Sequence, residues 1–205
     1  MALESIHFSL RLLFRRLGIF LVGNVLWIVI SIPVITIPAA TGALFYLVKR
    51  VVLEETDQAP RYARISDFWV GLRRYWLRST WLGLLDFAVL VVLIVTLQFY
   101  ITRPEEIFRW IVGPVIVLLL VWLGMQLFLY PLLIDSPEKP IMHLARKAFF
   151  LVLGYPLFCL VLVLALLLLT AVSVALAGPV LLLLFSLVAI MQTVAFRATK
   201  IDQSS

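Results

Sequence analysis

Asp86 is the residue of this chain best placed to do chemistry. Of the 11 acidic residues it is the one that falls inside an apolar run long enough to cross a bilayer. A carboxylate at that depth costs about 2.5–3.5 kcal/mol on insertion scales, so it is expected to face other helices or water. Three amide side chains share its depth. Counted from the inner ends of their helices, Asn24, Asp86, Gln126 and Gln192 lie five to eight residues in. At ~1.5 Å per residue that is roughly 7–12 Å below the membrane surface. Two roles fit such a polar layer. It is either a proton-coupled or substrate site centred on Asp86, or a set of interhelical hydrogen bonds holding a bundle together. In the second case Asp86 is neutral or paired with an arginine such as Arg78.

Other chemistry is hard to find. The chain has no H-E-x-x-H, G-x-S-x-G or G-x-x-x-x-G-K-[ST] signature and no Cys-based metal spacing. His7 and His143 fall in different segments, neither with a second His or Cys at ligand spacing. Cys159, the single cysteine, sits in the run PLFCLVLVLALLLL and reads as a small apolar residue. No enzyme activity, metal or cofactor is expected.

The elements that must position Asp86 follow from composition. With 64% hydrophobic and 14% charged residues and a mean hydropathy of +1.13, the 205-residue chain lies far from soluble domains. Those run about 45–50% apolar and about 25% charged. Disorder, collagen and a disulfide scaffold are excluded on the same grounds. The net charge of +6 does not point to nucleic acid, because the basic residues sit in short segments between apolar runs.

Those runs predict an all-α, polytopic transmembrane bundle forming one domain over 1–205, with the lipid bilayer as its first partner. The charge-free run Leu17–Val48 would be about 48 Å long as one helix. Pro33 and Pro38 break it into a helical hairpin, roughly 14–33 and 38–53, which either crosses fully or is re-entrant. The basic residues before it and Lys49 and Arg50 after it read as a retained anchor, not a cleaved signal. Further spans are expected near 79–101 and 110–134. The charge-free run Ala148–Phe196 must fold back at Gly178-Pro179, giving spans near 148–175 and 179–197, with Pro156 kinking the first.

Between the second and third spans, Phe68, Trp69, Leu72, Tyr75 and Trp76 recur at helical spacing, and Arg73, Arg74 and Arg78 occupy other positions. That pattern predicts an interfacial amphipathic helix near 66–78, which anchors the chain at the membrane surface or docks a partner. With six spans and both termini in the cytoplasm, 15 of the 17 Lys and Arg lie inside. Basic-residue asymmetry therefore favours that topology.

Three blocks carry a family resemblance. They are NVLWIVISIPVITIPAATGALFYLVKRVV, with Trp27, Pro33, Val34, Thr36, Ala40, Thr41 and Gly42; DFWVGLRRYWLRSTWLG; and LYPLLIDSPEKPIMHLARKAFFLVLGYP, with Tyr130, Pro131, Lys147, Ala148 and Pro156. In this order they resemble the YesL-like family of bacterial integral membrane proteins, a family of unknown function, over nearly the whole chain. The resemblance implies a multi-pass protein of the bacterial cytoplasmic membrane. It also implies a link to sugar-uptake ABC transporters, and so an accessory role beside a carbohydrate ABC permease. Two other expectations stand beside it: a small-solute or proton-coupled transporter centred on Asp86, and a lipid-organising protein acting through the aromatic and basic segment.

Overall fold

The computed structural model describes residues 2–56, 58, 62–102, 106–175 and 181–202. Among them the chain is all helical: α1 (Ala2–Arg15), α2 (Leu17–Ser31), α3 (Ile37–Glu55), α4 (Ser66–Ile101), α5 (Glu106–Asp135), α6 (Ile141–Gly154), α7 (Pro156–Ala175) and α8 (Leu181–Asp202). Four helical stretches are long and apolar enough to cross a membrane: Val34–Glu55, Ser66–Ile101, Trp110–Asp135 and Pro156–Ser173. Ile6–Arg15 and Leu17–Ser31 pass the same test together but meet at 92°. These apolar helices mark a membrane-embedded protein with four or five candidate spans. α8 occupies the place of the expected sixth; the expected break at Gly178-Pro179 lies outside the described residues.

The two prolines form the hairpin as expected. α2 ends at Ser31, Val34–Thr36 makes a single 3₁₀ turn, and α3 begins with Pro38 in its first turn. Pro is favoured there because its missing N–H would have had no helical acceptor. Thr36 Oγ1 donates to the carbonyl of Ile30 and ties the tip shut. Arg16 replaces the expected start at residue 14. There the chain turns sharply out of α1, whose Leu12 and Leu13 are buried and whose Arg11, Phe14 and Arg15 are exposed. Arg15 and Arg16 pair with Glu55 and Glu54, fastening the bend to the last turn of α3.

α3 is the central helix, and α4 packs along it antiparallel through small residues. Gly42 faces Ser79, Gly71 faces Tyr46, and Gly83 lies against the ring of Pro38. Close backbone approach of this kind is how helices associate where lipid leaves no hydrophobic drive between them. The register has a consequence for depth. Pro38 at the start of α3 is level with Gly83, yet α4 runs on for 18 residues to Ile101, about 27 Å further. The tip of the α2–α3 hairpin, with Ile32, Val34 and Ile35 exposed, therefore stops roughly 20 Å short of the far end of α4.

Two expectations are corrected. The segment 66–78 is helical but is not a separate interfacial helix, because α4 is continuous over 36 residues. Nothing between Arg78 and Thr80 breaks a helix, and Asp67, Phe68, Gly71, Tyr75, Ser79 and Leu82 form one buried stripe facing the protein. The span expected at 148–175 is two helices. α6 runs from Ile141 to Gly154 with Tyr155 as its C-cap, and Pro156, which cannot donate, starts α7. α6 lies antiparallel beside α5, with Gly124 against Val152.

Candidate functional site

α4 and α5 lie side by side, and their register brings Asp86 opposite two donors. Trp122 and Gln126 are four residues apart on α5 and so share a face. Trp122 Nε1 donates to Asp86 Oδ1 at 3.0 Å, and Gln126 Nε2 donates to the same oxygen at 2.7 Å. Oδ2 has no protein donor among the described residues. Arg78 is not the partner of Asp86: it lies two turns away on α4 and donates to the carbonyl of Lys139. Among the described residues no Lys, Arg or His pairs with Asp86.

Asp86 lines a groove of about 400 Å³ between α4, α5 and α6. The walls are otherwise apolar apart from the Trp122 indole N–H, with Leu85, Val89, Met125, Met142 and Phe149 among them. A carboxylate held through one oxygen at the edge of an apolar groove can accept a proton or bind a hydrogen-bond donor. Binding sites in helical bundles have this composition, a few polar groups on an apolar wall.

Of the other residues expected at this depth, Asn24 and Gln192 are buried on α2 and α8. These helices pack on each other: Ser186 donates to the carbonyl of Phe20 at 3.1 Å, and the Trp27 and Phe185 rings stack at 3.9 Å. α3 stands between that pair and α4. The structure thus joins Asp86 to Gln126 and sets Asn24 and Gln192 on the other side of the central helix. Trp122 was missed by sequence reading; its spacing of four from Gln126 was the available signal.

The aromatic and basic residues of α4 divide between two faces. Phe68 and Tyr75 are buried, and the Tyr75 hydroxyl donates to the carbonyl of Ile134 at 3.3 Å. Trp69, Arg73 and Trp76 follow one another at i, i+4 and i+7 on the outer face, with Trp69 46% and Trp76 42% exposed. Arg74 is exposed beside them. His7 and His143 are exposed on α1 and α6. Among the described residues no group of His, Cys, Asp and Glu is arranged to hold a metal ion.

The charged end of the bundle holds ion pairs between helices. Asp67 is fully buried, accepts the backbone N–H of Arg64 at 2.9 Å, and lies 3.9 Å from Arg50 Nε. Asp135 stands between Lys49 and Lys200, at 3.2 and 3.0 Å. These contacts join α3, α4, α5 and α8 into one base below the apolar spans.

No curated protein and no solved structure matches the chain. Residues 20–97 match the family model described as a protein of unknown function, DUF624. That stretch contains α2 from Phe20, α3, and α4 up to Leu97, and so the hairpin and Asp86, but neither Trp122 nor Gln126. Over its first half, then, this chain is similar to a family of unknown function.

Proposed function

We propose that this is a non-enzymatic membrane protein that serves as an accessory partner of a carbohydrate ABC uptake transporter. It would lie in a bacterial cytoplasmic membrane, with the charged end of the bundle in the cytoplasm. The observation that carries this reading is the outward stripe Trp69, Arg73 and Trp76 on the rigid α3–α4 pair. Trp and Arg are the residues enriched at interface hot spots, and a stripe on a packed helix loses little entropy on docking. The YesL-like resemblance supplies the kind of partner. Purification under mild detergent tests it: an ABC permease subunit should accompany the wild type and not Trp69→Ala/Trp76→Ala.

A second reading rests on the groove. Asp86 would be the titrating or substrate-binding group of a small-solute or proton-coupled transporter. Asp86→Asn keeps an acceptor at Oδ1 but removes the titratable oxygen. It should abolish flux in proteoliposomes while leaving the fold intact; undiminished flux would dispose of this reading.

A further inference from the structure

A second cavity, of about 350 Å³, opens at the charged end between α3, α5 and α8. Three cations line it, Lys49, Arg197 and Lys200, against one carboxylate, Asp135. Lys49 and Lys200 share Asp135, and Lys49 also donates to the carbonyl of Ile134 at 3.2 Å. Arg197 has no carboxylate partner among the described residues. Its guanidinium donates to Thr56 Oγ1 at 3.1 Å and to Gln58 Oε1. The cavity is left with an excess of positive charge.

Thr193 supplies an independent observation. It lines the cavity, is only 4% exposed, and its hydroxyl has no hydrogen-bond partner among the described residues. Thr41, Thr80 and Thr170 return the hydroxyl to the carbonyl four residues back at 2.8 Å each, whereas that of Thr193, like those of Ser31 and Ser79, stays unpaired among the described residues. A buried hydroxyl left unpaired is unfavourable, and native proteins rarely leave one so. A neutral donor beside surplus guanidinium and ammonium groups is the set that recognises a tetrahedral oxyanion.

We propose that this cavity binds a phosphate group, as a monoester or diester. Arg197 and Lys200 give charge-assisted hydrogen bonds, the buried and unpaired Thr193 hydroxyl turns toward the anion when it binds, and Phe45, Leu53 and Phe196 hold the organic remainder. Asp135 keeps the two lysines at the rim and at the same time opposes the anion. The phosphate comes either from an anionic lipid head group in the adjacent leaflet or from a soluble phosphate ester.

The test uses the full chain in two arms, both read by thermal unfolding. In one, inorganic phosphate is titrated onto protein in phosphatidylcholine nanodiscs. In the other, those nanodiscs are compared with ones containing phosphatidylglycerol. Stabilisation by inorganic phosphate identifies the soluble source, and stabilisation by phosphatidylglycerol alone identifies the head group. Arg197→Gln should weaken binding about tenfold, the loss of one charge-assisted hydrogen bond. Thr193→Val should weaken it less, Asp135→Asn should tighten it, and Lys147→Gln, on exposed α6 surface, should leave it unchanged. Where Arg197→Gln fails to fold, the more exposed Lys200→Gln carries the same test. The proposal is overturned by no stabilisation in either arm. It is equally overturned by stabilisation that Arg197→Gln, Lys200→Gln and Thr193→Val leave intact, or that Lys147→Gln weakens as much as they do.

Discussion

The indole Nε1 of Trp27 on α2 donates to Thr41 Oγ1 on α3 at 3.1 Å. Both residues lie in the stretch that matches the family of unknown function, DUF624, and the contact gives that stretch a structural meaning. Trp27 holds the two arms together, Thr36 ties the tip, and Gly42 lets α4 approach. Trp27→Phe or Thr41→Val should lower stability by about 0.6–1.7 kcal/mol, the range for one interhelical hydrogen bond in a membrane. The double variant should cost less than the sum of the two. A strictly additive double-mutant cycle would show that the bond contributes nothing.

The glycines of α4 and α5 make opposite predictions. A Cβ at Gly83 would lie 2.5 Å from ring atoms of Pro38, which cannot move aside, whereas nothing lies within 4 Å of Gly113. Gly83→Ala should therefore destabilise the protein by about 1–3 kcal/mol through overpacking. Gly113→Ala should be neutral or stabilise by about 0.5–1 kcal/mol, since helical Gly carries that entropic penalty. Thermal unfolding of the two variants in one detergent reads the difference; equal shifts would contradict the α3–α4 register.

That register also predicts what reagents can reach. With the hairpin tip roughly 20 Å short of the far end of α4, Ile35→Cys should resist a membrane-impermeant maleimide applied from either side. Thr102→Cys, just past the end of α4, should react from the far side only. Labelling of Ile35→Cys as fast as Thr102→Cys would mean that the hairpin crosses completely.

The contact between Asp86 and Gln126 should be measurable by itself. Gln126→Leu removes the 2.7 Å donor and leaves Trp122 as the remaining one on Oδ1. The variant should lose about 0.6–1.7 kcal/mol of stability, and most of that loss should vanish in an Asp86→Ala background, which has no side-chain acceptor. A cost independent of residue 86 would place the role of Gln126 elsewhere.

How far the sequence could be read follows from what residue counting can and cannot see. Pro33 and Pro38 located the hairpin, because a missing N–H acts locally whatever the tertiary structure. Counting along helices put Asp86 and Gln126 at one depth, and they do touch. The same counting put Asn24 and Gln192 there too, but counting from each helix's own end assumes that all helices start level. Gly23 meets Leu44 and Leu47 of α3, and Tyr46 meets Gly71 of α4, so Asn24 lies well below Asp86, with α3 intervening. The continuity of α4 was hidden by aromatics on both its faces: Phe68 and Tyr75 pack inward, Trp69 and Trp76 outward. Pro156 was legible as a kink, while the full break at Tyr155 depends on how α6 packs along α5. The ion pairs of Asp67 and Asp135 join helices distant in sequence and have no local signature.

The partner role stands or falls on the outer stripe of α4. The most direct measurement is quantitative co-purification from native membranes, comparing tagged wild type with Trp69→Ala/Arg73→Ala/Trp76→Ala at equal expression and equal thermal stability. The account predicts that a carbohydrate ABC permease subunit is enriched with the wild type and lost with the triple variant. Finding no permease with the wild type, or the same enrichment with both proteins, would contradict it.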